Sequence, residues 1–198
     1  MDIESFSPTI FAYVTLVAYG AILFLIRKRK FRFWQTALLL LLPILALVLF
    51  AVVRYLVLES RLDPFKAHIS EYTAVTEYQE GETYIRGKII PVNIRDNAID
   101  FILYYELPKD LRAASPEEVR TVIEQVCTAS SVGTYTRGGG AYRWTCKLKV
   151  IDLSISKILE EKTFTGSEPP RTTSGSKSQY GSKPSAEIMA YLTALPRK

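Results

Sequence analysis

The sequence has few of the side chains from which metal centres and nucleophilic active sites are built. It contains one histidine, His68, and two cysteines, Cys127 and Cys146, whereas a structural zinc site takes four Cys or His ligands. The patterns G-x-x-x-x-G-K-[ST], H-E-x-x-H and G-x-S-x-G are also absent. We therefore expect no metal site, no cofactor and no catalytic residues, and the sequence does not predict an enzyme.

The carboxylates do not suggest an acid–base pair either. Glu117 and Glu118 are adjacent, so they would not face each other on a helix, and with Ser115 and Pro116 before them they suit the start of a short helix. Three aspartates, at 96, 100 and 152, flank predicted strands. We interpret these three as turn and edge residues.

Charge is missing from two long segments near the N-terminus. Residues 8–26 contain no charged side chain and would form a helix of about 28 Å, close to the hydrocarbon thickness of a bilayer. A second apolar segment covers about residues 36–58 and contains one charge, Arg54. The sequence therefore predicts a two-helix membrane anchor over residues 1–62.

The basic residues between these segments predict the topology. Nearly all of the net charge of +5 comes from one short stretch, which contains Arg27, Lys28, Arg29, Lys30 and Arg32. The positive-inside rule places this stretch in the cytoplasm, and Trp34 beside it suits the membrane interface. We expect the N-terminus and the C-terminal domain to lie outside the cytoplasm, anchored in the inner membrane with the lipid bilayer as a partner. A nucleic-acid partner is not expected, because a short turn at the bilayer has little reach.

Arg54 admits two interpretations. It could be an intramembrane charge that serves ion passage or subunit pairing. Alternatively, its stem lies among lipid tails and its charged end reaches the headgroups near the outer interface. We favour the second interpretation, because polar residues follow within a few positions.

Residues 63–198 predict one α+β domain, β-rich and mostly antiparallel, with a short C-terminal helix. Alternating or β-branched stretches predict strands at residues 83–94, 99–106, 121–127, 132–136, 141–153 and 158–164. The glycines at 138–140 predict a hairpin between two of these strands. Residues 186–195 place Ile188, Tyr191 and Leu192 on one helical face, which predicts a helix that docks on the sheet.

The predicted topology determines whether the two cysteines are expected to form a disulfide. Cys127 ends one predicted strand and Cys146 lies in a later one. In a domain outside the cytoplasm they would form a disulfide that contributes about 3 kcal/mol. In a cytoplasmic domain they would be two small buried thiols.

The segment 166–185 is rich in Gly, Ser, Pro and Thr and predicts an irregular loop. Loops held by a rigid sheet often carry binding sites, so this loop is a candidate recognition site, with the side chains Glu168, Arg171, Lys177, Tyr180 and Lys183. The alternative is that it only connects the last strand to the C-terminal helix.

Residues 107–196 carry a pattern that resembles an uncharacterised group of bacterial membrane-anchored proteins of the cell envelope. Its most distinctive parts are GSEPP at 166–170 and YGSKP at 180–184. Shorter parts are LP at 107–108, LRA at 111–113, SPEEV at 115–119, VGTYT at 132–136, AYR at 141–143 and VID at 150–152. The resemblance implies a membrane anchor and an envelope location, but it carries no activity over to this chain.

Two hypotheses of function follow. In the first, a two-helix anchor presents an extracytoplasmic β-rich domain that interacts with other envelope proteins or with copies of itself. In the second, the chain is an oligomeric membrane effector or channel whose soluble domain senses a ligand, and Arg54 and Pro43 are then functional.

Overall fold

A computed structural model of the chain describes residues 33–136, 138–173 and 176–198. The predicted first span, the five basic residues Arg27–Arg32 and Arg137 of the predicted hairpin lie outside the described residues. The chain forms two compact units, one ending at Arg61 and the other covering Leu62–Lys198.

The first unit contains helix α1, Phe33–Ser60, which includes Trp34 and Arg54. Apolar side chains along α1 are exposed, with Leu45 at 67% and Leu49 at 63%. Judged on the described residues alone, no helix of the structure is long and apolar enough to cross a membrane. Both predicted spans therefore stay predictions.

The second unit is built on one six-stranded sheet with the order β2-β1-β3-β4-β5, and β6 pairs with β4. Its strands are β1 Lys88–Asn93, β2 Ala98–Ile99, β3 Val119–Thr134, β4 Gly140–Asp152, β5 Lys157–Thr165 and β6 Gln179–Tyr180. The β1–β3 and β4–β6 pairs are parallel and the other pairs are antiparallel. The fold is therefore α+β with a mostly antiparallel sheet, as predicted.

Short helices cover both faces of the sheet at one end. They are α2 Asp63–Lys66, α3 Ile69–Tyr72, α4 Phe101–Glu106 and α5 Ser185–Ala194. Because successive strand residues face opposite sides, Val122 belongs to the core with α2 and α3, whereas its neighbour Ile123 belongs to the core with α4 and α5. The C-terminal helix is confirmed, with Ile188 and Leu192 fully buried.

One strand prediction was wrong, and two other predicted strands are parts of a single strand. Residues 99–106 form the end of β2 and then helix α4, because Asp100 caps that helix by accepting a hydrogen bond from the Leu103 N–H at 3.0 Å. Residues 121–127 and 132–136 are not two strands but mostly one, β3, with an irregularity between Ser131 and Gly133. The hairpin is confirmed, since Thr134 pairs with Gly140.

Candidate functional site

The far end of β4 has a different neighbour from the rest of the strand. Strand β5 ends at Thr165, opposite Thr145, and β6 then pairs with β4 at Ala141 and Tyr142. The chain therefore leaves the sheet after β5, and β6 lies at the same edge of β4. This pairing brings part of the predicted recognition loop to the sheet.

Two glycines fasten the base of this loop. A Cβ atom on Gly166 would collide with the carbonyl oxygen of Ser182, and one on Gly181 would collide with that of Ser167. The Ser167 N–H donates to the Ser182 carbonyl at 3.1 Å, and the Ser182 N–H donates to Ser167 Oγ at 2.8 Å. The close approach requires residues without side chains. The GSEPP and YGSKP stretches therefore pass each other in backbone contact at Gly166 and Gly181, and we call this contact the glycine crossing.

Three aromatic rings and a lysine cluster beside the crossing. Tyr142 and Tyr180 stack with their ring centroids 4.9 Å apart, and the Trp144 ring lies 6.0 Å from that of Tyr180. Lys183 Nζ lies 4.9 Å from the centre of the Trp144 ring, a cation–π distance. Tyr180 remains 52% exposed, so its ring can contact a ligand.

A cleft of about 290 Å³ lies next to this cluster, between the β1–β2 turn, α4, β3 and the start of α5. A smaller hollow of about 170 Å³ adjoins it and is also lined by Cys127 and Trp144. The two share five lining residues, Asn93, Asp96, Asp100, Gln125 and Lys183. The aromatic cluster and the cleft thus form one candidate site.

Hydrogen-bond acceptors dominate the cleft. Gln125 Nε2 donates to Cys127 Sγ at 2.9 Å, while Gln125 Oε1 is buried and has no partner among the described residues. Asp96 accepts from Asn93 Nδ2 at 2.7 Å, and the Glu106 carboxylate also lines the cleft. A buried acceptor without a donor is costly. The cleft is therefore suited to a ligand that carries hydrogen-bond donors.

The two cysteines lie opposite each other on β3 and β4, with their sulfurs 2.06 Å apart. This confirms the predicted pairing at disulfide distance. Cys146 is fully buried, whereas Cys127 lines the hollow beside the cleft.

The five predicted loop residues do not form one group. Tyr180 and Lys183 both lie at Trp144, whereas Glu168 forms an ion pair with Arg143. Tyr142 and Arg143 are successive strand residues, so they face opposite sides of the sheet. Arg171 and Lys177 are exposed on the loop. The structure thus assigns two of the five to the candidate site.

Four of the five residues that line both the cleft and the hollow were not among the predicted site residues: Asn93, Asp96, Asp100 and Gln125. Two of them were interpreted as turn residues, and both do serve turns or caps in the structure. The prediction missed that the β1–β2 turn and the α4 cap lie beside the middle of β3. This neighbourhood depends on the parallel pairing of β1 with β3, which local pattern does not reveal.

Two buried carboxylates elsewhere serve the fold. Asp152 is fully buried and accepts from the Tyr84 hydroxyl at 2.9 Å, and burial together with this bond raises the pKa of Tyr84. Burial also raises the pKa of Glu124, which lies 3.8 Å from Lys149 Nζ. Among the described residues, no group of three or more metal-binding side chains occurs.

Comparisons with known proteins find no match to this chain: no family model, no curated protein and no solved structure is significantly similar.

Proposed function

We propose that this protein is a non-enzymatic, membrane-anchored protein of the cell envelope. Two N-terminal helices hold it in the inner membrane, and the β-rich domain lies outside the cytoplasm. There the domain presents the cleft and the aromatic cluster for interaction with a ligand or a partner protein.

The observation that carries this proposal is the pair of cysteines at disulfide distance. Disulfides persist in oxidising compartments and are rare in the cytoplasm. The basic stretch before α1 favours the same topology, and the exposed apolar side chains of α1 suit a lipid environment. The resemblance to membrane-anchored envelope proteins agrees with it.

The interaction role is supported by the construction of the loop. The crossing at Gly166 and Gly181 lies beside Tyr180, which contacts Tyr142 and Trp144, and beside Lys183, which lines the cleft. Fixed aromatic groups lose little conformational entropy when a ligand binds. A ligand with a flat apolar face could stack on Tyr180 and donate hydrogen bonds to Gln125.

Labelling in intact cells tests the topology. Lys177→Cys, in the exposed loop, is expected to react with a membrane-impermeant maleimide before the cells are lysed. Lys28→Cys, in the basic stretch, is the matched control and is expected to react only after lysis. If Lys177→Cys is labelled only after lysis, the domain is cytoplasmic and the proposal is wrong.

A further inference from the structure

Strand β3 extends well past the strand beside it. Strand β1 ends at Asn93, opposite Gln125, and the last bond on that side joins the Ile94 N–H to the Gln125 carbonyl at 3.0 Å. Strand β3 continues to Thr134. Among the described residues, no backbone group pairs with residues 127–131 on the side away from β4.

The free groups can be assigned from the register. Gln125 directs its carbonyl towards β1, so every second residue after it also directs its N–H and carbonyl away from β4. The Cα atoms of Cys127 and Cys146 are 4.0 Å apart, which is the spacing of a pair that exchanges no hydrogen bonds. The unpaired donors and acceptors therefore belong to Cys127, Ala129 and Ser131.

The unpaired stretch of β3 and the edge strand β5 are protected very differently. Edge strand β5 carries Glu161 and Lys162, and its start is covered by the bridge from Tyr78 to Ile158. Residues 126–134 on β3 read VCTASSVGT and contain no charge and no proline. Charges and proline in the strand are usual means of preventing edge pairing, and the stretch from Cys127 to Ser131 contains neither, although Arg95 and Lys183 line the hollow beside Cys127 and an irregularity follows Ser131.

We propose that two copies of this chain pair through this free edge of β3, antiparallel and about a two-fold axis at Ala129. Ala129 then lies opposite Ala129 of the second copy, and Cys127 lies opposite Ser131. The three pairs would exchange about six backbone hydrogen bonds, which joins the two sheets into one.

A second copy fits this edge better than a charged peptide would. The residues with free groups are centred on Ala129, so the edge is complementary to itself under a two-fold rotation. Thr128 and Ser130 are small, uncharged and exposed, so neither face of the joined strands would place like charges opposite each other. This pairing does not depend on the proposed membrane anchor.

The two-fold axis makes a sharp prediction for engineered cysteines. Residue 128 of one copy lies opposite residue 130 of the other, in a pair of the same kind as Cys127 and Cys146. Full-length chains in detergent, one Thr128→Cys and one Ser130→Cys with different tags, are mixed and mildly oxidised. Disulfide-linked dimer is expected to form at least about tenfold faster in the mixture than with either variant alone.

Proline variants identify the edge. Ala129→Pro removes a free N–H without removing a hydrogen bond inside the chain, so it is expected to abolish cross-linking in the mixture. Thr163→Pro on β5 is the matched control and is expected to leave cross-linking unchanged. An unchanged thermal melt confirms that each variant folds.

Three results would overturn the proposal. A mixture that cross-links no faster than the single variants would exclude the register. Cross-linking that survives in a folded Ala129→Pro variant would exclude the β3 edge, and so would cross-linking that is lost in a folded Thr163→Pro variant.

Discussion

The two ends of the β3–β4 hairpin are stabilised by different means. At the covered end, Ile123 and Val150 pair across the strands and are buried beneath α4 and α5. At the projecting end, the described residues 128–134 and 140–145 belong to neither core cluster, and side chains such as Val132 are 48% exposed. The aromatic stack and the glycine crossing stabilise this end instead, and the disulfide links it to the core, where Cys146 is fully buried. The covered end is stabilised by buried side chains, whereas the projecting end is held by contacts between particular residues, which leave its side chains exposed and able to contact a ligand.

The largest expected effect on stability comes from a cavity made at the covered end, compared with the same kind of truncation at the projecting end. Ile123→Ala removes a fully buried side chain from the covered end and should lower the free energy of unfolding by about 4 kcal/mol. Val132→Ala is the control at the projecting end and should change it by less than about 0.5 kcal/mol. Thermal or urea unfolding of the full chain in detergent measures both. Equal losses would mean that the ends do not differ in this way.

Removing the disulfide should act on the projecting end. The Cys127→Ala/Cys146→Ala double variant opens a link across 19 positions and is expected to cost about 3 kcal/mol. Hydrogen exchange should then speed up first at residues 128–134 and 140–145. Faster exchange at residues 121–125 to the same extent would contradict the distinction between the two ends.

A substitution at the glycine crossing should have a smaller effect on stability, and a second glycine in the same domain provides the control. Gly181→Ala places a methyl group against the Ser167 carbonyl and should cost about 1–3 kcal/mol. At Gly133 an added Cβ meets nothing within 4 Å, so Gly133→Ala should be nearly neutral. Only Gly181→Ala should also change the near-ultraviolet circular dichroism of the stacked Tyr142 and Tyr180. If the two variants behave alike, the crossing is not a fixed point.

The smallest expected effect is on the pH dependence of stability, and it comes from the buried carboxyl of Glu124 on β3. Burial raises the pKa of its carboxyl above the ordinary value of 4.5, so the folded state holds this proton more tightly than the unfolded state. Glu124 therefore lowers stability as the pH rises from 4.5 through the raised pKa. Glu124→Gln should flatten the fall of melting temperature in that window, whereas the exposed Glu187→Gln on α5 should not. A parallel response in both variants would contradict a burial effect.

Local pattern predicted most of the fold. The alternation in β4 and β5, the glycines of the hairpin and the apolar face of α5 are all local signals, and these elements formed where expected. The aromatic and β-branched residues 99–106 misled the prediction, because a capping bond from Leu103 to Asp100 outweighed strand propensity.

The candidate site was predictable only in part. Tyr180 and Lys183 stood out because they lie in a conspicuous loop, and both reach the aromatic cluster. Gln125 carries no local sign of a role, because its importance comes from an amide oxygen buried between β3 and the β1–β2 turn. Such a neighbourhood arises from non-local strand pairing, and local sequence pattern does not encode it.

The crossing also has a consequence for how this protein can vary. Ser167 and Ser182 are 15 positions apart in sequence, yet their hydroxyl groups lie 2.9 Å from each other. A loop whose ends are fastened together transmits little of its own length to the rest of the domain. Between Pro170, whose carbonyl accepts from the Tyr135 hydroxyl, and Ser178, which precedes β6, changes in loop length are therefore expected to leave the sheet in place.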